Sequence, residues 1–472
     1  MPVSSEPLHV LVAGGGVAGL EALLALRDLA GDRVELTLLT PEQDFVYRPM
    51  AVAAPFARGR ARRHVLSDIA SHLGVTLVKG RLRAVDATQR VACTDDGDEL
   101  HYDALLVAVG ARSEPALRTP NTWTPESDAA VFGGLLRDLE EGHSKRVAFI
   151  VPPGASWPLP AYELALMTAW DARDSGMDDV EVTVYTPEAA PLEMFGTNAS
   201  AALREDLDAA GVRVETGTYV SEEERTLVLD PGHRRLEGSR AVSLPIAAGR
   251  GIAGLAADPR GFLLCDRHGL VAGTDSVWAA GDAIAFPVKQ GGLAAQEADA
   301  AAESIAALAG ADVQPRPFHP VLRGVVLTDR GRAWIRRDLE TEDDGGSAER
   351  HALWWPPTKI AGRYLAPYLA ERDEGAHEGD APVAPAGQPV DLDLERELPA
   401  AADALRISAL RDAANTAGFS LRRAEQAGDR SVGELQREMD RFTSDERDTE
   451  DGLRRQGYLP QAAGGGPARA KR

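Results

Sequence analysis

The sequence predicts an α/β protein containing two parallel-sheet units, and three observations predict it. The chain opens on an apolar run, Val10–Ala13, a helical apolar pattern over Leu20–Leu29 and a second apolar run, Val34–Leu39, which together make a βαβ unit. That pattern returns as Arg146–Val151, an amphipathic helix over Ala161–Arg173, and Val180–Tyr185. The second strand of each unit ends on the same sequence, Leu39-Thr-Pro-Glu42 and Tyr185-Thr-Pro-Glu188, as related units within one chain would.

Gly14, Gly16 and Gly19 stand between the first strand and its helix. Glycines at this spacing let the backbone approach a pyrophosphate, and the helix N-terminus behind them presents free N–H groups and partial positive charge. Gly14, Gly16, Val17, Ala18 and Gly19 are therefore candidate dinucleotide contacts. A unit of this kind carries an acidic residue for ribose hydroxyls about 20 residues beyond the glycines. Thr40 holds the usual acidic place and Glu42 follows it, so Glu42 is the candidate, Thr40 the alternative, and a plain turn the remaining reading of Glu42. A glycine turn alone is weak support, because many such turns hold no ligand.

The elements downstream follow in order. Short apolar runs alternate with turns at Val75–Val78, Leu82–Val85, Arg90–Thr94 and Tyr102–Val109, the last a buried strand ending at Gly110. After the second βαβ unit, strand-like segments return over Gly261–Val271 and Ser276–Ala280, ahead of Gly281-Asp282 and an alanine-rich helix, Gly292–Ala309. Pro315–Leu369 has strands of its own and an aromatic stretch, Leu353–Tyr364. Past Arg372 the composition turns to Ala, Pro, Gly and acidic residues, with a boundary near Asp380–Pro389, and Val432, Leu435, Met439 and Phe442 then restore helical spacing. The expected domains are a first unit from 1–115 and 246–314, a second unit over 116–245, a C-terminal cap over 315–380, and a linker with a charged helical tail over 381–472.

Composition narrows the function classes. Across 472 residues the formal net charge is −22, which excludes a duplex nucleic-acid partner, since phosphate binding needs a basic face. Arg58, Arg60, Arg62 and Arg63 are a local exception, read as a solvated loop before a helix over Val65–Leu73, with an anion or partner site the alternative. The two cysteines, Cys93 and Cys265, are far apart, which argues against a disulfide scaffold, a zinc site and a dithiol redox pair, and fits a cytoplasmic location. No basic segment with an apolar run follows the start, and no apolar run nears the roughly 18 residues of a membrane span. The Asn198-Ala-Ser200 sequon then has no expected use.

Three ordered elements now line up: the glycine turn, Tyr102-Asp-Ala-Leu-Leu-Val-Ala-Val109-Gly110-Ala111, and Val277-Trp-Ala-Ala-Gly281-Asp282. Together they resemble the two-dinucleotide-domain flavoproteins over about residues 8–370. The resemblance implies two Rossmann-like FAD/NAD(P)-binding domains with a C-terminal cap and helical tail, and FAD extended across the first domain. It implies Asp282 on the ribityl chain and the helix start at Gly292 and Leu293 aimed at the flavin pyrimidine, where its positive end stabilises charge on reduction. Arg48, Val85, Val109, Gly110 and Gly281 complete the implied contacts.

Phe45-Val-Tyr47-Arg48-Pro49-Met50 and the run Pro153–Glu163 resemble the sulfide:quinone reductase, flavocytochrome c sulfide dehydrogenase and type II NADH dehydrogenase branch. Two departures limit what this implies. Trp157 stands where a sulfide-oxidising relative would carry a cysteine, and Cys93 and Cys265 read as packing residues, so a cysteine relay is not expected. The second turn holds Pro152, Pro153, Gly154, Pro158 and Pro160 instead of spaced glycines, which weakens a nicotinamide nucleotide site. Glu163 stands where NADH-dependent relatives keep a glutamate and reads as a helix-surface residue.

The segment Trp354–Tyr368 reads as a packed cap, or as a wall beside the flavin that admits a quinone or another flat acceptor, with Lys359 the cationic catalytic candidate. The expected function is an FAD-dependent oxidoreductase moving electrons from a small-molecule donor to a small acceptor. An NAD(P)H dehydrogenase with an atypical second site, and a flavin-binding interaction protein without catalysis, are the alternatives. The tail stripe lacks the basic face that anionic lipid wants, which implies packing on the body of the protein or on a second copy of the chain.

Overall fold

The computed structural model describes residues 6–125, 129–329, 331–341 and 345–373. Those up to 350 and from 358 onward form one compact unit, while 351–357 fall outside it. The tail stripe of Val432, Leu435, Met439 and Phe442 lies outside the described residues. No helix among the described residues is long and apolar enough to cross a membrane.

Val277–Ala279, Ala104–Val107, Leu8–Ala13, Val34–Thr40 and Thr76–Lys79 form a five-stranded sheet in that order, with every pair parallel. Leu8–Ala13 runs through its centre, and strand alternation divides its side chains between two faces. Val10 and Val12 pack with helices on one face, Leu11 and Ala13 with the antiparallel strands Leu82–Asp86 and Val91–Thr94 on the other. On the helical face, Ala18, Ala22 and Ala25 of Val17–Ala30 pack with Ala294, Ala298, Ala301 and Ala302 of Gly291–Leu308. Small side chains on both helices bring the two backbones close.

Asn121–Thr122, Arg240–Ser243, Arg146–Ile150, Glu181–Tyr185 and Arg213–Glu215 make a second five-stranded parallel sheet. Its crossover helix, Leu159–Asp174, is not amphipathic as expected: Ala161 through Thr168 are buried without a break. The helix lies between this sheet and the antiparallel strands Val321–Thr328 and Gly331–Asp338, so no stretch of its first turns faces water.

Two further expectations need correction. Only part of the basic cluster is a loop: Arg58 and Arg60 lie in irregular backbone, whereas Arg62–Val65 pairs as a strand with Asp44–Tyr47 and the helix starts at Leu66. Arg58 lies 3.4 Å over the Trp170 ring and pairs with Asp174 at 2.9 Å. Gly261–Val271 forms no strand; it contributes single bridges such as Leu263 to Ile284 and Cys265 to Val271.

The end of the compact unit is tied back to its start by one carboxylate. Glu21 is fully buried on the first helix and accepts the amides of Tyr364 at 2.7 Å and Leu365 at 2.8 Å, which begin the helix Leu365–Asp373. It thereby supplies acceptors that a helix N-terminus lacks. Burial raises the Glu21 carboxyl above its ordinary range, and these amides oppose the shift. Glu21→Ala should lower the free energy of unfolding by about 2–4 kcal/mol, since it strands two amides. Urea denaturation reads that loss, and an unchanged midpoint would show that the amides find other acceptors.

Candidate functional site

The first glycine turn contains glycines of two kinds. Gly14 has φ +121°, and a methyl there would lie 2.2 Å from the Ala108 carbonyl oxygen. A methyl on Gly19 would lie 1.8 Å from the Gly14 oxygen. These two are glycine because the protein closes on them. Gly16 has an ordinary φ of −88°, and a methyl there would meet no protein atom within 4 Å. The crest of the turn is thus open to a close-approaching ligand.

Gly16 caps the first helix without a side-chain acceptor, and no acidic residue lies in the first turn. The first amide bonded within the helix is that of Leu20, to the Gly16 oxygen at 3.0 Å. The amides of Val17, Ala18 and Gly19 precede it and have no acceptor in the helix, which is the arrangement that binds a phosphate.

Neighbouring strand ends bring further groups to this turn. Thr40 is buried, donates its hydroxyl to Glu42 Oε2 at 2.8 Å and accepts the Glu42 amide at 3.3 Å. Glu42 is thereby held at the surface with Oε1 uncommitted among the described residues. Gly110 has φ +67° with open space around it, and the Val109 oxygen accepts Arg250 Nε at 2.8 Å, a tie that no sequence signal disclosed. Val85 is buried, and its amide is committed to the Ala253 oxygen at 2.9 Å.

Gly281 abuts the same turn: a methyl on it would lie 2.9 Å from the Ala18 side chain. Its amide goes to Glu297 Oε2 at 2.8 Å. Asp282, beside it, is half-buried and makes no hydrogen bond or ion pair among the described residues. Burial raises its carboxyl above the ordinary range, opposed by Lys289 and Arg48. A half-buried carboxylate with its acceptor capacity open suits a chain of ligand hydroxyls. Gln290 Oε1 takes the Leu293 amide at 2.9 Å, so the helix Gly291–Leu308 presents the amides of Gly291 and Gly292 rather than that of Leu293.

Comparison with known proteins decides the family, for residues 8–303 match pyridine nucleotide-disulphide oxidoreductase. The chain belongs to this family. It has the two-dinucleotide-domain α/β fold. The sulfide-quinone reductase of Aquifex aeolicus (strain VF5) is 26% identical over 208 residues, 42% of this chain and 48% of that protein. The chain thus matches about half the length of that relative. The ferredoxin reductase component of chlorobenzene dioxygenase from Cupriavidus sp. (strain PS12) is 27% identical over 297 residues, 60% of this chain and 69% of that protein. The solved sulfide:quinone oxidoreductase of Aquifex aeolicus superposes with a TM-score of 0.64 at 17% identity, covering 81% of this chain and all of that one.

The open Gly16 crest, the three amides behind it and the uncommitted Asp282 fit FAD. When bound, FAD supplies hydride and one-electron chemistry.

The second turn is built differently from the first. Pro158 caps the helix Leu159–Asp174, Pro160 has no N–H, and the Ala161 amide bonds to the Pro158 oxygen at 3.0 Å. Only the Leu159 amide is left at this helix start, where the first helix offers three. Trp157 packs edge-on against Phe195, ring centroids 5.8 Å apart, among core residues.

Glu163 is not on the helix surface, as expected, but interior. It pairs with Lys359 at 2.5 Å, the two side chains 2% and 9% exposed, and accepts the Leu327 amide at 2.9 Å. Burial pushes the lysine down and the glutamate up, and each partner opposes the other's shift. Next to Lys359, Ile360 donates its amide to Tyr47 Oη at 3.0 Å and packs where a methyl on Gly291 would lie, 2.9 Å away. Cys93 lies in the strand Val91–Thr94, and burial pushes the Cys265 thiol up to about 12.

Two outcomes follow. Gly16→Val should keep the thermal midpoint yet weaken FAD uptake by about tenfold or more, whereas Gly19→Ala should disrupt the fold itself. Thermal denaturation beside a flavin fluorescence titration separates the two. Burial raises the Glu297 carboxyl from an ordinary 4.5 to about 8, so the native chain holds a proton that the unfolded chain releases in that window. Its contribution therefore falls as pH rises from about 4.5 to about 8. Glu297→Gln should flatten the decline of the urea midpoint across that range.

Proposed function

We propose that this oxidoreductase passes electrons through FAD from a small donor other than NAD(P)H to a small acceptor, a quinone or another flat molecule, in the cytoplasm. The contrast between the two turns carries the reading. The first helix start offers the amides of Val17, Ala18 and Gly19, whereas the second offers that of Leu159, and Trp157 of the second turn packs on Phe195. A nucleotide pyrophosphate needs several convergent donors, and one amide does not supply them.

Within this proposal Gly14, Gly16 and the first-turn amides hold the FAD pyrophosphate, Glu42 the ribose with Thr40 orienting it, and Asp282 the ribityl chain. Val109 and Gly110 line the cofactor, Gly291 and Gly292 face the flavin pyrimidine, and Arg48 balances Asp282. Lys359, locked to Glu163 next to the residue that packs on Gly291, is the cation assigned to the reacting end. The first domain is then 1–115 with 246–314, the second 116–245, and the cap begins at 315. The quinone arm draws on the likeness to sulfide-quinone reductase. Sulfide as donor has less support, since a thiol with its pKa pushed to about 12 is a poor nucleophile at Cys265.

Anaerobic stopped-flow mixing tests the reading. The FAD-loaded protein should stay oxidised for many seconds with excess NADH or NADPH, and the dithionite-reduced protein should be reoxidised promptly by a short-chain ubiquinone. Flavin bleaching by either nicotinamide nucleotide within seconds would overturn the donor assignment, and failure of quinone reoxidation the acceptor assignment.

A further inference from the structure

The second unit carries a cleft that the proposed cofactor site does not use. It has a volume of about 510 Å³ and lies at the start of the helix Thr197–Ala209, between the turn Glu193–Phe195 and the strand Gly331–Asp338. Ala190, Pro191 and Ala201 give it an apolar wall, and Ser200, Arg204 and Arg337 a polar one.

Several independent features of the polar wall point to an anion. Gly196 caps the helix with φ +91°, no side chain accepts the first amides, and no acidic residue occupies the first turn. The Asn198 amide goes to the Gly345 oxygen and the Ser200 amide to the Gly196 oxygen, which leaves those of Thr197 and Ala199. Ser200 is only 5% exposed, yet its buried hydroxyl has no hydrogen-bond partner. A helical serine ordinarily bonds back to the carbonyl four residues earlier, and this one does not.

The arginines behave alike. Arg337 donates Nη1 to the Glu193 and Met194 oxygens at 3.4 and 3.1 Å, while its buried Nε has no partner. Arg204 makes no hydrogen bond or ion pair among the described residues. Glu193 also lines the cleft, but its carboxylate accepts the Ala189 amide at 2.8 Å. In a chain of net charge −22, two guanidinium groups thus share one cleft without a carboxylate partner among the described residues.

We propose that this cleft binds the phosphate group of a small phosphorylated molecule. Guanidinium forks and open helix amides match phosphate oxygens, and Ser200 adds a hydroxyl donor. The apolar wall and the remaining volume accommodate a body of nucleoside or sugar size. An occupant also has a path to the second turn. The Glu193–Phe195 segment holds the carbonyls that bind Arg337, and it ends in the Phe195 ring that meets Trp157. The proposed cleft stands apart from the proposed FAD site, because none of its lining residues belongs to the first turn.

Calorimetric titration of the full, FAD-loaded chain at fixed ionic strength tests it, with inorganic phosphate and AMP as probes and succinate as a dicarboxylate control. Both phosphate probes should bind saturably at one site per chain, AMP more tightly, and tryptophan emission should change in step. Arg204→Ala should weaken both by about tenfold, and Ser200→Ala by a smaller factor, with FAD content and thermal midpoint unchanged. No saturable binding at millimolar concentrations would overturn the proposal, as would binding indifferent to both substitutions. Succinate binding as tight as phosphate would overturn the phosphate assignment. Binding lost in Gly16→Val but kept in Arg204→Ala would place the anion at the first turn and overturn the site.

Discussion

The site depends on the crossing of two helices from opposite ends of the chain's first fold unit, Val17–Ala30 and Gly291–Leu308. Their contact surface is alanine and glycine, so the separation is set by backbone rather than by side-chain bulk. Each begins at or just after a glycine turn, and Gly281 sits so near Ala18 and Ala294 that a methyl would lie 2.9 and 3.5 Å from their side chains. That closeness brings the open crest at Gly16 and the carboxylate of Asp282 into one neighbourhood. A larger residue at Ala18 or Ala294 would separate these groups without altering either motif.

Buried helical carboxylates fasten the later segments onto this frame. Glu21 holds the amides of Tyr364 and Leu365, Glu163 that of Leu327 together with Lys359, Glu297 that of Gly281, and Glu303 both the amide and the guanidinium of Arg316. All four glutamates are no more than 5% exposed. Each sits on a regular helix whose own amides are already paired, so it is free to accept amides that lack backbone partners elsewhere in the chain. The arrangement costs desolvation, seen in the upward shifts of Glu21, Glu163 and Glu297, and gives in return a fixed position for a loop or strand.

These anchors explain what was legible in the sequence. The parallel strands and the long helices could be read because apolar periodicity is a local property. Gly14, Gly16 and Gly19 could be read as one tight strand-to-helix turn, but not the division between two that the fold closes upon and one that it leaves open. Glu163 could not be placed, because its partners Leu327 and Lys359 lie far along the chain and nothing local marks a glutamate as interior. The same limit hid Glu21 and Arg250. For the helix Leu159–Asp174, the expected polar face vanished because a later strand pair covers it.

The repeated Thr-Pro-Glu shows how one local device takes two fates. In both units the threonine hydroxyl donates to the glutamate two residues on, at 2.8 Å in Thr40 and 2.9 Å in Thr186, and the glutamate amide bonds back. The turn geometry is therefore common to both and independent of any ligand. What differs is the surroundings. Glu42 is exposed, whereas Glu188 is half-buried against Tyr162, whose hydroxyl donates to it at 2.6 Å, and desolvation pushes its carboxyl up to about 7. Tyr162 comes from the helix whose start is filled by Pro158 and Pro160, so one short segment both lacks helix-start amides and engages the glutamate.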